Sequence, residues 1–102
     1  MILYLDDYRR PPTGPEYASA DNYPGFIMLL DKYNGSIEMV DLDFDLGYDS
    51  SWNGLHVLKY MKKFDVKCER INIHSTHPTG RSMMMQYATA NFPDAVITDR
   101  EL

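Results

Sequence analysis

Apolar residues fall along this chain in short runs separated by polar stretches rich in glycine and proline, and the runs alternate between two periods. Met1-Ile2-Leu3-Tyr4-Leu5 is continuous, as in a strand covered on both faces, and Asp6-Asp7 ends it. Pro11, Pro12 and Pro15 then forbid helix, so a loop follows the first strand directly, and residues 16–20 read as a short edge strand. Over residues 22–33, Phe26, Met28, Leu29, Leu30 and Tyr33 fit one helix, with Pro24 in its first turn and Asn34-Gly35 as its stop. A strand over 37–42 follows. Residues 53–64 carry the stripe Leu55, Leu58, Met61, with Lys59, Lys62 and Lys63 toward the negative end of that helix. A strand over 71–74, a helix over 78–90 entered through Thr79-Gly80, and a last strand over 95–98 complete the pattern.

Strands alternating with helices imply an α/β fold: a doubly wound, mainly parallel sheet of about five strands with right-handed crossovers. At 102 residues, without repeat or linker, the chain reads as one domain over 1–102. Ligands of such sheets bind beyond the carboxyl ends of the strands, where Asp6, Asp7, Asp43, Asp45, His74 and Ser75 all fall. If the 37–42 strand runs straight on, Ile37, Met39, Asp41, Asp43 and Asp45 share one face, which turns from apolar to acidic. Asp41 reads as structural or solvated.

Charge and composition narrow the function. Apolar residues make up 44% and charged residues 25%, as in a globular chain, and the net charge of −5 argues against general nucleic-acid binding, which rests on neutralising phosphates. No run approaches the roughly 20 apolar residues that cross a bilayer, and the start lacks a secretory pattern, so cytoplasmic residence is expected. Cys68, the only cysteine, permits no internal disulfide and reads as a small buried apolar group.

Carboxylates gathered at one sheet edge repel by about 1 kcal/mol per pair near 4 Å even in water, so a positive partner is expected there. A hard divalent cation, Mg2+ or Mn2+, suits Asp6, Asp7 and Asp43, with Asp45 nearby as ligand, base or hydrogen-bond acceptor. His74 suits proton transfer to a leaving alkoxide, because imidazole titrates near neutrality, and His77 stands three residues on to share that work or to face solvent. Residues 75–82 resemble an anion cup in which Gly80 allows close approach and Arg81 grips two oxygens, unless Ser75 or Thr79 merely caps a helix. Arg9 reaches the same phosphate from the proline loop or pairs with an aspartate. His56 reads as structural within its helix, Met83, Met84, Met85 and Tyr87 as core, and Trp52 with Tyr48 as a core cover or a stacking shelf.

The acidic pair, the aspartate after a central strand and the hydroxyl residue after the next resemble a response-regulator receiver site. The resemblance is closer to the cyclic-phosphate-processing receiver domain, a receiver-derived family. It rests on Leu5-Asp6-Asp7-Tyr8-Arg9-Arg10-Pro11-Pro12, on Leu42-Asp43-Phe44-Asp45-Leu46-Gly47, and on His74-Ser75 leading through Pro78, Gly80 and Arg81 to Met84. It implies a receiver-like (flavodoxin-like) sheet whose first helix is replaced by the Pro-rich loop and whose last helix is absent. It also implies a metal-dependent phosphoesterase acting on a cyclic phosphate or nucleotide, with catalytic His74, Ser75 and Asp45, phosphate-binding Arg81, Gly80 and Arg9, and metal ligands Asp6, Asp7 and Asp43, while His77 is a catalytic candidate from its own chemistry and not from the family. The chain departs from that pattern at Phe44, where the family has histidine, and at His77 and Met83, where it has asparagine. After the last strand, Thr98-Asp99-Arg100 stands where receivers place a lysine. The expected partner is a small phosphorylated ligand such as a cyclic nucleotide, with no membrane. The alternative is a non-enzymatic module that sequesters a nucleotide or engages a protein partner, and a third reading is an acidic surface that mimics or blocks another molecule.

Overall fold

The computed structural model describes residues 1–47 and 51–100. Five strands, β1 (Ile2–Leu5), β2 (Tyr17–Ala20), β3 (Met39–Leu42), β4 (Arg70–Ile73) and β5 (Val96–Asp99), form one sheet in the order β2-β1-β3-β4-β5. Every pairing is parallel. Three helices join them: α1 (Tyr23–Lys32) before β3, α2 (Gly54–Lys63) before β4 and α3 (Pro78–Asn91) before β5. Each expected element is present, with bounds within two residues of those read from the sequence.

Local chemistry fixes the helix ends. The Asn22 side chain accepts from Gly25 N at the start of α1, which carries proline in its first turn. Asn53 opens α2 with a capping box completed by His56, whose Nδ1 accepts from Asn53 N at 3.0 Å. His56 is therefore structural, in the first turn of the helix. His77, not Ser75 or Thr79, caps α3.

The three crossovers that contain helices all run the same way along the sheet, so the right-handed rule places their helices on one face. There α1 packs on α2 and α2 on α3. Leu3, Leu5, Val40, Leu42, Ile71 and Ile73 meet Phe26, Leu30, Leu58, Met61 and Met84 in a fully buried core, each large side chain contributing about 1.5–3 kcal/mol. Met84 belongs to this core, whereas Met83 is exposed. Cys68 is half-buried and its thiol is pushed up to about 11, chiefly by burial.

A second helical layer is absent among the described residues. The β1–β2 connection that would supply part of it is instead the proline-rich loop, which reaches back over Tyr4 through Arg9, Arg10, Pro11 and Pro12. On that face the alternate residues align across the strands: Tyr4 beside Asp41, Asp41 beside Asn72, Asn72 beside Thr98. Tyr4, Asp41 and Asn72 are buried, so the sheet carries a polar rung through its middle.

Candidate active site at the carboxyl edge of the sheet

Backbone bonds continue one residue past three strands and set the site. Asp6 N donates to Ala20 O, Asp43 N to Leu5 O and His74 N to Leu42 O, at 3.3, 3.0 and 3.0 Å, which brings the ends of β1, β3 and β4 side by side. The strand ends at Leu42, as expected for 37–42, and does not run on as regular sheet to Asp45; Asp43 and Asp45 line the cleft beyond the strand end.

His74, 1% exposed, lies between two carboxylates, with Nδ1 2.6 Å from Asp41 Oδ1 and Nε2 3.0 Å from Asp6 Oδ2. Two carboxylate acceptors are satisfied together only when both ring nitrogens carry protons, as in an imidazolium. Burial opposes that charge, but the hydrogen bonds and charges of Asp41 and Asp6 outweigh it and hold the His74 pKa above that of an ordinary histidine. Tyr4 stacks flat on the ring, centroids 4.9 Å apart, and its hydroxyl is pushed up to about 12 by burial and then by Asp6 and Asp41. The other Asp6 oxygen accepts from Tyr8 N and Arg9 N at 2.8 and 2.9 Å, while Arg9 Nη1 donates to His74 O.

The network runs on across the sheet. Asn72 Nδ2 donates to Asp41 Oδ1 at 2.9 Å and to Arg100 O at 3.0 Å, and Asn72 Oδ1 accepts from Thr98 Oγ1 and Arg100 N. Neither Asn72 nor Tyr4 was anticipated from sequence. The signal was a polar residue inside an apolar triplet at one strand level, Val40-Asp41-Leu42 beside Ile71-Asn72-Ile73.

Asp43 stands above this layer, half-buried, its carboxyl pKa raised by desolvation and by the charge of Asp6, against which Ser75 donates a hydrogen bond and His74 lends charge. Asp6, Asp43 and His74 each offer one ligand atom, and the three atoms lie within 4.8 Å of one another. Asp6 and Asp43 line a cleft of about 440 Å³, with His74 buried beneath them and Asp7, Asp45, Tyr8, Arg9, Thr76 and His77 also on its lining.

A model of the cyclic-phosphate processing receiver domain matches residues 1–90. The chain belongs to that family. Membership ties this receiver domain to cyclic-phosphate processing, and the parallel five-stranded sheet with its acidic edge is the receiver architecture. No curated protein and no solved structure matches it.

Within this receiver domain the sequence-derived site residues part into two groups. Asp6, Asp7, Asp43, Asp45, Arg9 and His77 share the cleft, and buried His74 and Ser75 lie against Asp43. Asp7 is exposed, its pKa raised chiefly by desolvation, and it stays outside the group of three close ligand atoms, where His74 stands instead. Arg81 and Gly80 fall elsewhere. Arg81 Nε lies 3.7 Å from Asp99 Oδ2, so β5 holds the guanidinium expected to grip phosphate. The Gly80 amide donates to His77 Nδ1 at 2.9 Å, and a Cβ on Gly80 would lie 2.2 Å from Phe44 Cγ, so the glycine admits a ring rather than an anion. Trp52, 48% exposed, stacks on Tyr23 at 4.6 Å and contacts His56 by its edge. Tyr48, its expected companion, lies outside the described residues. No helix among the described residues is long and apolar enough to cross a membrane.

Proposed function

We propose that this domain is a metal-dependent phosphoesterase that opens or cleaves a cyclic phosphate, such as that of a nucleotide. The observation that carries the proposal is the meeting of Asp6, Asp43 and His74 ligand atoms within 4.8 Å at the receiver edge, where Asp6 and Asp43 line a cleft. The donor chemistry fits a divalent cation. Asp43 is a carboxylate whose charge is disfavoured by burial and by Asp6, and a cation relieves both. Two carboxylates plus water suit Mg2+. If His74 Nε2 joins them by giving up its proton, Nδ1–H still donates to Asp41, and the mixed oxygen and nitrogen set suits Mn2+ better.

When bound, the cation supplies charge to polarise the phosphoryl group and acidify water. The chain's own residues do the rest. Asp6 is held in place by His74 and by two loop amides, so it keeps its position without reorganising. Asp7 and Asp45 line the cleft, where a carboxylate can take the proton of the attacking water. The water oxygen bonds to phosphorus, one phosphorus–oxygen bond of the ring breaks, and the proton ends on the leaving oxygen. His74 has both nitrogens engaged and no exposed side chain, which favours a holding role over proton transfer to substrate.

The test is turnover of a panel of cyclic mono- and dinucleotides. Hydrolysis that requires Mg2+ or Mn2+ and disappears in Asp43→Asn is the expected result. Tight binding without turnover would replace the enzyme with a nucleotide-sequestering module, which the internal neutralisation of Asp6 by His74 would then explain.

A further inference from the structure

The cleft is rich in carboxylates, and the donors on its lining are the hydroxyls of Tyr8 and Thr76, the guanidinium of Arg9 and the ring of His77. Four carboxylates line it, Asp6, Asp7, Asp43 and Asp45, while the guanidinium of Arg9 is already engaged with the His74 carbonyl and lies 4.0 Å from Asp6. A phosphoryl group drawn to a cation there still has outer oxygens that need hydrogen-bond donors. Arg81 is held at Asp99, and His74 is sealed beneath the floor.

His77 is the exposed side chain on that wall whose donor is fixed by its neighbours. Its Nδ1 accepts from Gly80 N at 2.9 Å as the cap of α3. A ring nitrogen that accepts carries no proton, so the single proton of the neutral ring lies on Nε2. Phe44 stands beside the ring. Its own ring packs against the imidazole with centroids 4.9 Å apart, and it sits in the space that Gly80 leaves open. With Nδ1 taken by the Gly80 amide, the ring nitrogen left to donate is Nε2. A neutral imidazole acting as an electrophile beside a helix start has precedent in enzyme chemistry.

We infer that His77 is a phosphate-recognition residue that donates from Nε2–H to a non-bridging phosphoryl oxygen of the substrate. The inference rests on the proposed phosphoesterase reading, because it takes the phosphoryl group to lie in this cleft. The anion-facing role expected of Arg81 thereby passes to a residue on the cleft wall.

The full chain labelled with 15N at histidine tests it by two-bond proton–nitrogen correlation, titrated with inorganic phosphate in the presence of Mg2+. His77, identified by the signal that vanishes in His77→Asn, is expected to show a protonated Nε2 and an unprotonated Nδ1, and its Nε2–H signal is expected to move as phosphate binds. His77→Asn keeps an acceptor for the Gly80 amide, so the helix stays capped while the Nε2–H donor is lost. It should weaken phosphate binding roughly tenfold or more. Phosphate binding within about twofold of wild type in His77→Asn, or a proton found on Nδ1, would overturn the assignment while leaving the phosphoesterase reading intact. Absence of any Mg2+-dependent phosphate binding by the wild type would overturn both together.

Discussion

The carboxylate of Asp41 and the imidazole of His74 meet at 2.6 Å with neither side chain more than 1% exposed, although 33 positions separate them in the chain. The pair is buried charge, and its energetics govern several measurable properties of the domain.

Removing the carboxylate leaves the imidazolium with only Asp6 beside it and takes the acceptor from Asn72. Asp41→Ala should therefore destabilise the fold by about 3–5 kcal/mol, the usual penalty for orphaning a buried charge. Asp41→Asn should be milder, because its amide oxygen still accepts. Urea unfolding followed by circular dichroism measures both.

Stability should fall as pH rises above neutrality. The folded His74 pKa is raised above its unfolded value near 6.5, so its contribution is complete below about pH 6.5 and is lost as pH climbs through the folded value. Asp43 and Asp7 also have raised carboxyl pKa values, so the folded state takes up protons first as pH falls and gains stability on the way down. All three act in the same sense. Unfolding free energy should be larger near pH 6 than near pH 8, with a shallower slope in Asp41→Asn.

A cation that binds only the folded site should raise the melting temperature. At a hundredfold excess over the dissociation constant, linkage gives about 2.7 kcal/mol of stabilisation, and each kcal/mol is worth about 4–8 °C in a domain of this size. Differential scanning fluorimetry with Mn2+ should show that shift for the wild type and none for Asp43→Asn. Without metal, Asp43→Asn should melt above the wild type, because it removes a carboxylate whose charge burial and Asp6 both disfavour.

Gly80→Ala tests how Phe44 is seated. Alanine is the better helix former by about 1 kcal/mol, yet its Cβ would lie 2.2 Å from Phe44 Cγ. Overpacking should win, with a net loss of about 1–3 kcal/mol. The double variant Gly80→Ala, Phe44→Ala should lose less than the sum of the two singles, and unfolding of all four proteins closes that cycle.

The order of elements was legible because each is signalled locally. The unbroken run Met1-Ile2-Leu3-Tyr4-Leu5, the prolines that bar a helix after it and Asn53 at the head of α2 need no tertiary information. The acidic edge was legible because topology alone sends strand ends to one side, and Asp6 and Asp43 do meet there. What escaped were facts of depth and direction. A run alternating acid and apolar residues from Val40 to Leu46 does not disclose that Asp41 is buried within the strand while Asp43 and Asp45 line an open cleft beyond its end. The motif around Gly80 and Arg81 does not disclose that Phe44 and Asp99, from distant segments, occupy them.

Apolar strands of similar composition can slide past one another by two residues and still turn their greasy sides inward. Here that error would carry Asn72 away from Asp41, which it now faces across β3 and β4, and strand an ionised carboxylate in a dry interior. The hydrogen-bonded line from Thr98 to His74 thus discriminates against misaligned folds. The residues that equip the edge for chemistry also tell the growing sheet where each strand must stop.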